Sequence, residues 1–135
     1  MQIQLTNKEF RRLLDLVYIG NWILNSTRGE DRFQDYDDVE SKLFALCRTN
    51  AMNTLVEDWE GTSIPSKAYA EGGIHEAIAY YEDNVFYEIL AEELSRRDME
   101  YPDITEDNYD EIISRMDQYM SEFQVSGVDN LILDN

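Results

Sequence analysis

Four segments of the chain repeat apolar side chains at intervals of three and four residues, which is the period of an α-helix with one buried face. The first of these apolar stripes consists of Phe10, Leu13, Leu14, Val17 and Tyr18. Just before it, Thr6 and Glu9 have the spacing of a capping box, which marks a helix start. No segment shows the sustained alternation of apolar and polar residues that indicates a half-buried strand. The pattern therefore predicts an all-α fold.

The helix boundaries follow from caps and from helix-breaking residues. We predict a first helix capped by Thr6, a second over about residues 37–56 with Asp37 and Glu40 at its start, a third over about residues 74–97, and a fourth from Thr105 to Gly127. Gly and Pro residues in segment 57–73 predict a packed loop there. A length of 135 residues is typical of one domain. We therefore expect a single acidic, compact bundle of about four amphipathic helices over residues 1–135.

Two further features leave the packing open. Residues 3–5 and 131–133 are short apolar segments at opposite ends of the chain, and a small strand pairing between the termini is one expectation for them. Residues 16–24 are apolar on more than one face of the first helix, which predicts either a helix buried on most sides or the contact surface of a homodimer.

The charge of the chain is strongly acidic and uneven. Asp and Glu total 29 against 11 Lys and Arg, a net charge of −18, whereas residues 1–28 carry a net charge of +2. The last 38 residues hold eleven acidic residues and one base, Arg115. Binding to nucleic-acid phosphates depends on Lys and Arg, so direct nucleic-acid binding is not expected. The acids have two interpretations: solvated helix faces, or a surface for a basic partner.

Membrane insertion and secretion are not expected either. The chain has no apolar run of about 18 residues, and its first residues are too polar for a secretory signal. One cysteine, Cys47, cannot form a disulfide within the chain, which fits a reducing compartment. Together these features predict a cytoplasmic protein.

The residues that usually carry chemistry are sparse. A single histidine, His75, and a single cysteine cannot supply the ligand sets of di-iron or zinc sites, and no segment fits a calcium-binding EF-hand loop. Cys47 falls on the apolar face of the second helix, which predicts a buried, inert thiol. His75 follows two glycines at a helix start, and its role stays open. We therefore predict no catalytic residue, no cofactor and no metal.

Tyrosine and acid side chains point instead to contacts with another protein. Tyr80 and Tyr87 are seven residues apart and share a helix face, and tyrosine is enriched at protein interfaces. An alternative is that they pack under the loop of residues 57–73. The acidic residues expected at a docking surface around the fourth helix are Asp103, Glu106, Asp107, Asp110 and Glu111.

These observations lead to three hypotheses about function. The first is a protein–protein interaction or regulatory module without catalysis, whose partner is another, basic protein. The second is a DNA mimic that inhibits a basic nucleic-acid-binding protein, with carboxylates in place of phosphates. The third is a small hydrolase that uses a pair of carboxylates, one of them with a raised pKa. Self-association into a homodimer is compatible with each.

Overall fold

The computed structural model describes residues 1–134, and most of them are helical, as the apolar periodicity predicts. The elements in chain order are α1 (Asn7–Asn25), α2 (Gln34–Ala45), β1 (Val56–Trp59), β2 (Thr62–Pro65), α3 (Lys67–Tyr69), α4 (His75–Asp98) and α5 (Glu106–Ser126). Two short 3-10 turns, Leu46–Thr49 and Asn53–Leu55, precede β1, and a wide helical turn, Ala70–Ile74, leads into α4. The chain forms two compact units, Met1–Ile78 and Ala79–Asn135. Whether residues 1–135 make one domain stays a prediction.

Helix α1 begins as the sequence predicts, but its far end is less buried than expected. The Thr6 hydroxyl accepts the Glu9 amide at 3.1 Å, and the Glu9 carboxylate accepts the Thr6 hydroxyl at 2.9 Å. The expectation that residues 16–24 are buried on most sides is wrong, since Leu16 is 69% and Ile23 63% exposed. The buried face continues instead through two polar residues, Asn21 and Asn25. The covered face of α1 therefore keeps the helical spacing that Phe10 and Leu14 begin, even where the residues on it are polar.

The second helix starts and ends earlier than predicted. It begins at Gln34, three residues before Asp37, because Asn25 holds the backbone of Phe33 at the helix start. It ends at Ala45, and Ala51 has a positive φ of 58°, so the chain has turned well before residue 56. The apolar residues that suggested a longer helix, Leu55 and Val56, belong to the next turn and to a strand.

A β-hairpin occupies part of the segment that was expected to be a loop. Strands β1 and β2 pair antiparallel, with Val56 opposite Pro65 and Trp59 opposite Thr62. Glu60 and Gly61 form the two-residue turn, and both have positive φ values, 50° and 82°. This is the backbone that matches the twist of a tight hairpin.

The expected strand pairing between the termini is wrong, because residues 3–5 and 131–133 lie outside any strand. A two-residue connection closes at a far smaller entropic cost than one of more than about 100 residues, so the local hairpin is favoured.

The first unit has the larger core. Its buried side chains are Phe10, Leu14, Phe44, Cys47, Val56 and Tyr69. The Tyr69 ring packs edge-on against Phe44 and Tyr18, and its hydroxyl donates to Asp15 at 2.8 Å. Cys47 is fully buried, which confirms the predicted environment of the thiol, and burial raises its pKa.

The second unit contains most of α4 and the whole of α5, which run antiparallel to each other. The Tyr87 ring contacts Phe123 at 5.4 Å, and the Tyr119 hydroxyl, one turn earlier on α5, donates to Asp98 at the end of α4. Both helices begin and end within a residue or two of the predicted boundaries. We call residues 79–126 of this unit the acidic hairpin. Among the described residues, no helix is both long and apolar enough to cross a bilayer.

Candidate functional site

A cavity of about 300 Å³ opens between α1 and α2 in the first unit. Its lining residues are Tyr18, Asn21, Trp22, Ser26, Arg32, Asp37 and Glu40. We call it the α1–α2 pocket. It combines aromatic rings with charged groups, which is the composition of many small-ligand sites.

Two buried asparagines are linked at the pocket: Asn21 lines it, and Asn25, one turn further along α1, lies behind Asn21. Asn25 is 1% exposed, and its side-chain oxygen accepts the Phe33 amide at 2.8 Å. The Asn25 Nδ2 donates to the Phe33 carbonyl at 3.1 Å and to Asn21 Oδ1 at 2.7 Å. Because Asn21 Oδ1 is an acceptor in this chain of bonds, its own Nδ2 is directed at acceptors on α2.

Two carboxylates of α2 share that donor. Asn21 Nδ2 lies 2.9 Å from Asp37 Oδ1 and 2.9 Å from Glu40 Oε2. Arg32 binds Asp37 in bidentate fashion, with Nε and Nη2 donating at 2.9 and 2.8 Å. The hydrogen bonds from Arg32 lower the pKa of Asp37, whereas burial, with a smaller contribution from the charge of Asp37, raises the pKa of Glu40.

The charges of the pocket therefore do not cancel. Arg32 neutralises Asp37, and Glu40 forms no ion pair with any residue that the structure describes. The pocket presents one unneutralised carboxyl group, partly withdrawn from water.

Aromatic rings form the opposite wall. The rings of Tyr18 and Trp22 lie 6.3 Å apart at an angle of 21°, and His75 packs edge-on against Trp22 at 4.7 Å. The Tyr18 hydroxyl and His75 Nε2 share a hydrogen bond of 2.6 Å. Burial, and then the charge of Glu40, raise the pKa of Tyr18, which keeps its hydroxyl protonated near neutral pH. His75 therefore supports the aromatic wall of the pocket.

Asp37 and Glu40 are the pair of carboxyl groups in the pocket to which the hydrolase hypothesis would apply. Asp37 and Glu40 share one donor and have pKa values displaced in opposite directions, as acid and base pairs in active sites often do. However, both oxygens of Asp37 accept hydrogen bonds from Arg32, which stabilises the carboxylate and weakens it as a base or nucleophile. The arrangement favours binding over hydrolysis. In the described part of the chain, no group of three or more His, Cys, Asp and Glu side chains is placed to hold a metal ion.

The two tyrosines selected from the sequence lie on α4 in different environments. Tyr80 is 75% exposed, whereas Tyr87 is half-buried against Phe86 and Phe123. Tyr87 therefore contributes to the packing of α4 on α5, and Tyr80 alone is free for other contacts.

The five selected acids are all exposed; four lie in the first turns of α5 and one, Asp103, lies just before the helix. They are Asp103, Glu106, Asp107, Asp110 and Glu111. Glu111 forms an ion pair with Arg115 at 3.0 Å, and its four companions form none within residues 1–134. Their exposure is compatible with solvation and with docking.

One feature of the acidic hairpin was not predicted from the sequence. Phe86 and Ile89 are each more than half exposed, and together we call them the α4 outer face; Tyr81 is also exposed but lies about 140° around the helix from Phe86. At 100° per residue, Phe86 and Ile89 lie on the side of α4 away from Ala91 and Ser95, which are fully buried. The sequence pattern shows that a residue is apolar but not which neighbour covers it, so the exposure of these residues does not follow from the sequence.

Comparison of the chain with protein-family models, with curated proteins and with solved structures finds no match.

Proposed function

We propose that this protein is a non-catalytic binding module whose acidic hairpin docks on a basic protein. The observation that carries the proposal is the coincidence of charge and apolar exposure in the second unit. Residues 79–135 hold sixteen acids and three arginines, a net charge of −13 out of −18. The exposed apolar side chains of the α4 outer face belong to this same acidic segment.

The acids have few cations of their own. Arg97 pairs with Asp98 and Arg115 pairs with Glu111, so two of the three arginines of this segment are already engaged. The remaining carboxylates produce a field that attracts positively charged surfaces and accelerates association with them.

The exposed apolar side chains supply the buried apolar contact that a stable interface needs in addition to charge. Stable interfaces have an apolar and aromatic centre with a polar rim, and a few buried aromatic residues carry most of the affinity. Phe86 and Ile89 are exposed between the exposed acids Glu82 and Glu93, which lie within about 40° of them around α4. This arrangement fits an apolar centre surrounded by a negative rim.

The charge favours a basic partner over a second copy of the chain. Two hairpins would each bring −11, from fourteen acids and three arginines, so their association is opposed at low salt and promoted by salt, which screens repulsion. Binding to a basic partner has the opposite dependence and weakens as salt rises. The two are distinguished by measuring mass in solution at about 0.05 and 0.5 M salt. Self-association gives a mass that rises with salt, whereas a complex with a basic partner gives a mass that falls with salt.

The test is affinity capture with the full chain and two charge-reversal variants. The first variant is Asp103→Lys, Asp107→Lys, Asp110→Lys, and the matched control in the first unit is Glu30→Lys, Glu57→Lys, Glu60→Lys. All six side chains are exposed, and both variants change the net charge equally. We expect a basic protein to be captured by the native chain and by the control, and lost with the hairpin variant and with Phe86→Asp. Equal capture by all variants, or an acidic partner, contradicts the proposal.

The DNA-mimic hypothesis is a second candidate, and the acid spacing on α5 favours it. Six exposed acids follow one side of the helix: Glu106, Asp107, Asp110, Glu111, Asp117 and Glu122. They span about 24 Å of helix axis in five intervals, or one charge per roughly 5 Å on average. One DNA strand carries a charge per roughly 3.4 Å. If the captured partner binds DNA, the hairpin must compete with DNA for it; unchanged DNA binding at low salt excludes mimicry.

A further inference from the structure

The α1–α2 pocket has a chemistry that the docking proposal does not use. It lies in the first unit, and its aromatic wall and its carboxyl group belong to α1 and α2. Buried polar networks often only hold helices together, and the Asn25–Asn21 chain has that role here. Trp22 makes none of these bonds, and Glu40 contributes a single acceptor, which shares the Asn21 Nδ2 donor with Asp37.

The geometry points to a binding site for an organic cation, a primary ammonium or guanidinium group whose apolar stem lies against Trp22 and whose charge meets Glu40. Aromatic faces attract cations, and the attraction increases when water is excluded. Glu40, which lines the same cavity from α2, supplies the opposite charge when it is ionised.

The state of Glu40 supports this assignment. Its carboxyl group is half-buried, one oxygen accepts from Asn21, and no cation of the described chain is paired with it. Burial raises its pKa, which means that ionisation in the empty pocket is costly. A bound cation offsets that cost, because an opposite charge nearby favours the ionised carboxylate.

Other ligand classes fit less well. An anion would meet Glu40 and Asp37, and the one cation of the pocket, Arg32, already directs two donors at Asp37. A metal ion would lack ligands, since the described residues bring no three suitable side chains together. The volume of about 300 Å³ lies at the lower limit for small-molecule sites and suits the end of a lysine or arginine side chain, or a small free amine.

The experiment uses the full chain with Trp59→Phe, which leaves Trp22 as the sole tryptophan and its fluorescence as the signal. At constant pH, the chain is titrated with butylammonium, with the neutral analogue butanol and with the anion butyrate. We expect saturable binding of butylammonium alone. Glu40→Gln is expected to weaken it at least ten-fold, whereas Glu30→Gln, an exposed acid in the loop before α2, leaves it within two-fold. Circular dichroism confirms that each variant is folded.

A second arm identifies the source of the cation. If the methylamide of N-acetyl-lysine binds as tightly as butylammonium, the ligand is a side chain of a polypeptide; if it is excluded, the ligand is a free amine. The inference is overturned if butanol binds as tightly as butylammonium, if Glu40→Gln has no effect, or if no titration saturates. Because the pocket and the acidic hairpin are tested by different variants, either proposal can fail while the other stands.

Discussion

Replacing Asn25 by alanine tests whether the polar chain beneath the α1–α2 pocket stabilises the first unit. The native side chain is 1% exposed and makes three hydrogen bonds, two with the backbone of Phe33 and one with Asn21. Each such bond contributes about 1 kcal/mol, and a buried group left without a partner costs more. Phe33 is 39% exposed, so water can replace part of what its backbone loses.

The expected loss of stability follows from these hydrogen-bond contributions. Three bonds at about 1 kcal/mol each, reduced by about 0.5 kcal/mol because alanine is the better helix former, give a destabilisation of about 2.5 kcal/mol. For a chain of this size, that corresponds to a decrease in Tm of roughly 10 °C. The loop of residues 26–33 also loses its attachment, so the Phe33 amide is expected to exchange with solvent much faster.

The assay is urea unfolding followed by tryptophan fluorescence, because both tryptophans, Trp22 and Trp59, lie in the first unit. The matched control is Asn84→Ala, which removes an exposed amide that donates only to the Tyr80 carbonyl. We expect it to change the free energy of unfolding by less than about 0.5 kcal/mol. An equally small change for Asn25→Ala, with unaltered exchange at Phe33, refutes the reasoning.

Further predictions concern single positions. Cys47 is fully buried and burial raises its pKa, so the folded chain is expected to react with a thiol reagent only at the rate at which it unfolds. Gly127 has a φ of 55°, and an added Cβ would lie 3.3 Å from the Tyr87 hydroxyl, so Gly127→Ala should destabilise by about 1–2 kcal/mol, measured by urea unfolding with circular dichroism. The folded-state pKa of Glu40 is raised, so its ionisation costs stability above that pKa; Glu40→Gln should raise the Tm at pH 7 and lose this advantage below pH 4.5. The folded-state pKa of Asp37 is lowered, so its contribution is present above pH 3.8 and lost as pH falls through the folded value; Asp37→Asn should lower the Tm at pH 7 and much less in acid.

Local signals in the sequence determined the helices and several of their ends. Thr6 caps α1, Thr105 precedes α5 and Gly127 follows it, because caps and left-handed residues act within one turn of chain. The burial of Cys47 was predictable for the same reason, since the apolar spacing around it continues through α2 and the turn that follows. The hairpin was missed because Glu60 and Gly61 join two short segments that lack alternation.

The α1–α2 pocket was decided by tertiary structure. Asp37 and Glu40 were recognised only as a possible helix start, and Asn21 and Asn25 carried no signal, although their spacing continues that of Phe10 and Leu14. Hydrogen bonds between residues far apart in sequence give these side chains their positions, and hydropathy does not encode such bonds. The acidity of the second unit, in contrast, follows from the sequence alone, because charge is a sum over residues. Which apolar side chains of this acidic unit remain exposed depends on which neighbouring element covers each helix face. Only the tertiary structure decides how the helices cover one another.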